Sequence, residues 1–328
     1  LALEVFYSGR AALEATRGTD LTPTRLIYFD SCTEEQDVAT IRPAEHRNSY
    51  NAYYAATAGR EQNVLTFTGK LSFNDAAWWA QMFFKSVPSG TGGGADKTYA
   101  FLPSAATDDV KSTTFQLAYA DTIATAPGYK YNYALGQTFN LHFEKGDDAA
   151  VTFKAALLAA KSATSIAAFT GALTDRSVVL ASANSTIAYI DTTTIGSTAD
   201  PKVISVDWTV DLGPVPLYTL DGTTAAQAIY RPKYRTWTAT VTRQYDAANE
   251  RSAYTAKTVR KLRIKTTGPT LGGSTYLLQL DLYGVYTGRR TGSVDGIVTE
   301  ELTFEPVYDT ASTSDHSLTV VTSETSIT

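Results

Sequence analysis

The chain has 328 residues, a formal net charge of −5 and a pI near 5.3. That length is enough for two ordinary domains with a sizeable core each, while the acidic balance argues against a dedicated nucleic-acid binder, which needs a basic stripe. With 43% hydrophobic and 19% charged residues the composition is globular, and a single cysteine, Cys32, excludes an internal disulfide and fits a structural zinc site poorly.

In chain order, residues 1–25 read as a polar arm broken by Gly9, Gly18 and Pro23, with apolar anchors at Val5, Phe6, Tyr7, Leu13 and Leu21. "LALEVFYSGRAALEATRG" has neither the charged nor the apolar region of an export signal, so synthesis in the cytoplasm is expected. Short strands are predicted at 26–32 and 37–43. The polar loop 42–63 is long for a compact domain and carries Arg42, Arg47, Tyr50, Tyr53, Tyr54 and Arg60, residue types favoured at contact surfaces. "LTFTGKLSFNDAAWWAQMFF" (65–84) first alternates, with Thr66, Thr68, Lys70 and Ser72 opposite Leu65, Phe67, Leu71 and Phe73. That is the period of a half-buried strand. From Asn74-Asp75, read as an N-cap, the apolar residues Trp78, Trp79, Met82 and Phe83 recur at helical spacing.

Strands are expected again at 98–103, 112–121 and 138–147. The Ala-rich segment 149–172 reads as helix or extended linker. Its most apolar part, 149–160, is interrupted by Lys154 and is too short to span a membrane, so no membrane association is expected. The second half begins near 177–194. An alternating strand at 203–213 displays Ser205, Asp207, Thr209 and Asp211, and leads into a second long loop, 214–233, with Tyr218, Tyr230 and Arg231. "WTATVTRQYDAANERSAYTAK" (237–257) then repeats the strand-into-helix pattern, with Thr236, Thr238, Thr240 and Thr242 on one face and Asp246 as the expected cap. Strands at 261–268, 275–287 and 297–309 follow, and 310–328 reads as an edge strand or a second arm. The two halves thus repeat an order of elements, not a text.

No catalytic constellation is legible. The three histidines, His46, His142 and His316, are remote from one another, and no metalloprotease, nucleophile-elbow or phosphate-loop motif is present. "SGTGGG" (89–94) follows a helix instead of opening one, so its amides cannot form a helix-terminus anion site. Glu300 and Glu301, adjacent in a strand, point to opposite faces and cannot act as a pair. The expectation is a protein that is not an enzyme, needs no cofactor or metal, and contacts copies of itself.

"STIAYIDTTTIGSTADPKVISVDWTVDLGPVPLYTLDG", "VRKLRIKTTGP", "YLLQLDLYGVYTG" and "DGIVTEELTFEPVYD", with the opening "YSGRAALEATRGTDLTPTRLIYF", resemble the tail tube (major tail) proteins of long-tailed, non-contractile bacteriophages. The resemblance covers 1–309 as an order of features; 149–172 has no place in it. It implies a mainly β chain with short helices. Two tandem β-sandwich or barrel domains, 26–172 and 173–309, would each carry one flanking helix, between an N-terminal arm (1–25) and a C-terminal arm (310–328). It further implies rings stacked into a virion tail tube through which DNA passes without sequence-specific binding. Tape measure and tail terminator or tip proteins would be partners. A trimer forming a pseudo-hexamer, or a true hexamer, would make the ring. The expected inter-ring contacts are the two loops. The expected lumen-facing residues are Thr66, Thr68, Lys70, Ser72, Asp207, Thr209, Asp211, Thr238, Thr240 and Thr242. Alternatives are another self-assembling virion protein of the tail tip or capsid surface, or a carbohydrate-binding adhesive module.

Overall fold

A computed structural model describes residues 7–23, 25–42, 56–84, 90–92, 94–103, 109–119, 128–147, 149–164, 178–246 and 250–327. The chain is mainly β. Its strands are β1 (Tyr7–Leu13), β2 (Arg25–Ile27), β3 (Ser31–Ile41), β4 (Thr57–Lys70), β5 (Lys97–Phe101), β6 (Thr113–Tyr119), β7 (Gly128–Glu144), β8 (Thr152–Thr164), β9 (Thr186–Asp191), β10 (Val203–Asp211), β11 (Val215–Leu217), β12 (Ala228–Tyr230), β13 (Thr236–Gln244), β14 (Arg260–Leu271), β15 (Ser274–Val294), β16 (Ile297–Pro306) and β17 (His316–Thr322). Helix α1 (Phe73–Ala80) follows β4 and helix α2 (Glu250–Ala256) follows β13.

Fifteen strands form one antiparallel sheet, and β11 and β12 pair separately. The sheet forks at its two longest strands. β7 lies beside β8 along most of its length, and its other edge is divided between β6 and β10. β15 likewise has β14 on one edge and, on the other, β17 and then β16. The forks fold the sheet back over α1. Every residue of that helix is buried. Trp79 packs on Phe67 of β4 and Phe153 of β8, Trp78 meets Phe115 of β6, and beyond the helix Phe83 stacks on Phe139 of β7 and Phe84 on Trp208 of β10. Aromatic side chains of this size dominate core energetics, so α1 is the centre of the core. Gly136 lets β7 pass close to the chain leaving α1: a Cβ there would collide with the Met82 carbonyl and the Phe83 ring.

Both predicted strand-into-helix units are present, but only the first helix is internal. In α2 only Glu250 and Ala253 are buried, since "ERSAYTA" has too few apolar residues to be enclosed. The N-cap of α1 is Ser72, not Asn74-Asp75. The Ser72 Oγ accepts from the Asp75 amide at 3.0 Å and donates to Asp75 Oδ2 at 2.7 Å. Asp246, the expected cap of α2, pairs with Lys202; the helix is described from Glu250, and 247–249 lie outside the described residues.

The Ala-rich segment is a strand, β8, from Thr152 to Thr164; small residues suit it because it is paired on both edges and packed under α1. Neither predicted arm is free over its described residues. β1 is inserted between β2 and β6, and the buried Glu14 carboxylate accepts from Ser112, Thr114 and the amides of Gly18 and Tyr133. β17 lies between β15 and β5, and the residues after it reach α1: Gln81 Nε2 donates to the Ile327 carbonyl at 2.6 Å and Thr322 Oγ1 to Asn74 Oδ1 at 2.5 Å. The expected boundary at 172/173 lies outside the described residues. The described core residues form one cluster that runs from Ala11 to Ile327 and draws on both halves.

Candidate functional site

Strands β3, β4, β8, β7, β10, β13, β16 and the second half of β15 lie side by side, and their registers align their polar residues into rows. Directly paired residues of an antiparallel sheet point to the same side. One row is Thr33, Thr66, Ala156, Thr138, Asp211 and Thr236. The next is Ser31, Thr68, Lys154, Asn140, Thr209 and Thr238. A third is Lys70, Thr152, His142, Asp207, Thr240 and Thr303, and a fourth is Glu144, Ser205, Thr242, Glu301 and Arg290. The opposite side carries the core residues Phe67, Phe153, Phe139, Trp208, Trp237 and Phe304.

The face is therefore a polar wall, dominated by hydroxyls, to which both halves of the chain contribute. Within these four rows the acids Glu144, Asp207, Asp211 and Glu301 outnumber the cations Lys70, Lys154 and Arg290 by one. Many groups are held in place across strands. Ser31 and Thr68 share a hydroxyl hydrogen bond of 2.6 Å, Asn140 donates to Thr209 at 2.9 Å, and Arg290 pairs with Glu301 at 3.1 Å. His142 bridges two strands, with Nδ1 2.7 Å from Asp207 and Nε2 3.2 Å from Glu144. Several charged groups of the wall are thus matched within the wall itself.

Nine of the ten expected lumen residues share this face: Thr66, Thr68, Lys70, Asp207, Thr209, Asp211, Thr238, Thr240 and Thr242. The tenth, Ser72, does not; it is buried, because the chain has left β4 and the hydroxyl is needed to cap α1. The contributions of β7 and β8 were missed. The alternation of Thr138, Asn140, His142 and Glu144 carried the signal for β7, whereas the alanines of β8 concealed its period.

At the Asp211 end of the wall the two predicted contact loops meet. Tyr218 Oη donates to the Glu61 carbonyl at 2.8 Å, and the Glu61 amide donates to the Thr224 carbonyl at 2.8 Å. The Glu61 carboxylate accepts from Gln36, Asn63 and Ser162. Burial would raise its pKa, but these hydrogen bonds outweigh it and hold the group below the ordinary value. Burial raises the Tyr218 phenol. Arg42, Arg60 and Tyr230 are exposed. Arg231 is not: it pairs with Asp109, which also binds Arg17 at 2.5 Å, so it stabilises its own chain. Arg47, Tyr50, Tyr53 and Tyr54 lie outside the described residues.

Among the described residues both lateral edges of the wall lack a further strand partner. Among the described residues β3 pairs only with β4, and β15 beyond Gly284 pairs only with β16. On the wall face, the first edge carries the exposed acids Glu35 and Asp37, and the second carries the exposed Arg290. Among the described residues no group of three or more His, Cys, Asp or Glu is placed to hold a metal ion, and no helix is long and apolar enough to cross a membrane. No protein-family description matches the chain, and no curated protein matches it.

Proposed function

We propose that this protein is the subunit of a bacteriophage tail tube, assembling into rings that stack around a channel for DNA. The observation that carries the reading is the polar wall bounded by two open, oppositely charged strand edges. Unpaired edges are templates for further pairing. Joining β3 of one copy to the second half of β15 in the next would continue the wall without interruption and bring Glu35 and Asp37 towards Arg290. Such a contact is head-to-tail, so it generates a ring when its rotation closes.

The number of strands favours three copies. Closing three eight-stranded walls gives about 24 strands and, at ordinary strand spacing with a tilt of about 40°, a backbone barrel about 48 Å across. That leaves a bore wider than a nucleic-acid duplex, whereas eight strands alone leave room only for side chains. Hydroxyls hydrogen-bond water and give DNA little counterion release to gain, and the slight acidic excess adds weak repulsion, screened beyond about 8 Å at physiological salt. The wall suits a surface past which DNA slides.

Negative-stain microscopy with native mass spectrometry tests the reading. Hollow rings or tubes built from three chains are expected. Monodisperse single chains at every concentration would rule it out, and six-chain rings would exclude the trimer.

A further inference from the structure

Strand β16 joins two features that the wall does not use. At its first residue the β15–β16 hairpin ends in a two-residue turn, Asp295-Gly296, with positive φ at both positions (50° and 78°). Positive φ at both central residues characterises the tight type I′ hairpin turn, so the tip has a defined shape. It is also apolar where it should be polar: Val294, Ile297 and Val298 are 41%, 50% and 53% exposed. Asp295 is the only charge between Thr291 and Thr299.

At the other end of β16, Pro306 borders an open cleft of about 920 Å³. Among the described residues its walls include Leu102, Pro103, Tyr234 and Tyr308; Tyr234 is 98% and Tyr308 62% exposed. Its charged lining is Arg231, Lys233 and Arg235 against Asp109 and Asp315, an excess of one cation. Arg231 pairs with Asp109 inside the chain, while Lys233 is exposed. Exposed tyrosines beside arginines are typical of contact surfaces.

We infer that the hairpin tip of one copy docks in the Tyr234–Tyr308 cleft of the next copy along the strand direction. The two surfaces are complementary in character: three β-branched aliphatic side chains and one acid meet two tyrosines, a leucine and a cleft with a cationic excess. They also lie at opposite ends of a strand of 10 residues, roughly 30 Å apart, so translating a copy along that strand brings tip to cleft. A contact between two different patches of the same chain propagates without closing when the operation is a translation. This rests on the tube reading, for which it supplies the ring-to-ring junction, made by the β15–β16 tip and a cleft whose lining includes Arg231 and Lys233 at the end of the loop 214–233.

Disulfide trapping tests it. In a Cys32→Ser background, Val294→Cys, Ile297→Cys or Val298→Cys is combined with Tyr234→Cys or Tyr308→Cys. Mild oxidation is expected to give at least one combination that forms a ladder of covalent multimers on a denaturing gel, because every chain carries both halves of the contact. In parallel, Ile297→Asp is expected to weaken longitudinal assembly at least about tenfold, as loss of a buried anchor does. Rings or tubes from proteins that give no ladder in any combination would overturn the docking and leave the tube reading intact. A ladder without rings would support the docking and overturn the tube. Neither ladder nor rings would overturn both.

Discussion

His316 is fully buried, against Phe84, Trp208 and Trp237, with Nδ1 2.9 Å from Asp315. Burial lowers its pKa below the ordinary histidine value and Arg235 adds to the effect, although Asp315 pulls the other way. The folded chain thus binds this proton less readily than the unfolded chain. Its contribution is complete above the unfolded value, about 6.5, and is lost as pH falls below that towards the folded value. The midpoint of urea unfolding is therefore expected to drop between about pH 7 and pH 5. His316→Gln should flatten that part of the curve; an unchanged slope would remove His316 as its source. Glu300 sets a second residue-scale test. It is 0% exposed, 3.0 Å from Arg289 and 3.7 Å from Arg243. Glu300→Ala would leave both guanidiniums short of a buried partner, and about 3–5 kcal/mol of stability should be lost. Denaturant titration checks it, and a loss below about 1 kcal/mol would mean that water replaces the carboxylate.

Among the elements, α1 and β17 depend on each other. The helix is too short to persist alone; the sheet around it and the C-terminal residues hold it. Ser72→Ala should cost about 1 kcal/mol through the lost cap. Removing 316–328 should cost far more, because it strips α1 of its bonds to Thr322 and Ile327 and leaves β5 without its partner. Failure of this truncated chain to give a cooperative unfolding transition is the expected result. Hydrogen exchange on the intact chain gives the independent check: amides of β1 and β17 should exchange as slowly as those of β10. Rapid exchange of both in the single chain would restore the picture of loose arms.

For the whole molecule, the open edges and the composition of the wall make separate predictions. Arg290→Glu should suppress ring formation, and Glu35→Arg in the same chain should restore it in part by reversing the pair; sedimentation reads both. Suppression without rescue would point to a different edge pairing. Exposed ion pairs are weak one by one, so the rescue is expected to be clearest at low salt. In the proposed tube, Thr66→Arg with Thr240→Arg should leave rings intact but slow genome release, since two arginines per chain would reverse the wall's small acidic excess and add phosphate contacts. Normal release with both arginines facing the bore would exclude the sliding-surface idea.

The sequence determined the local periods. Thr66, Thr68 and Lys70 opposite Leu65 and Phe67, and Asp207 and Thr209 opposite Trp208 and Val210, fix which side of each strand is wet, because the side-chain period of a strand is 2. It also announced both helices, through aromatic residues at helical spacing after β4 and through the repeat of that strand-into-helix order after β13. It could not announce β8, whose alanines by themselves favour helix and form a strand only because partners on both edges decide. Nor could it show that the tail is an interior strand: that depends on Asn74 and Gln81, some 250 residues away along the chain, meeting Thr322 and Ile327. The single wall was hidden for the same reason. Its two polar sets are separated in sequence and become one surface only because β7 and β10 pair, a long-range hydrogen-bonded register that no local pattern encodes.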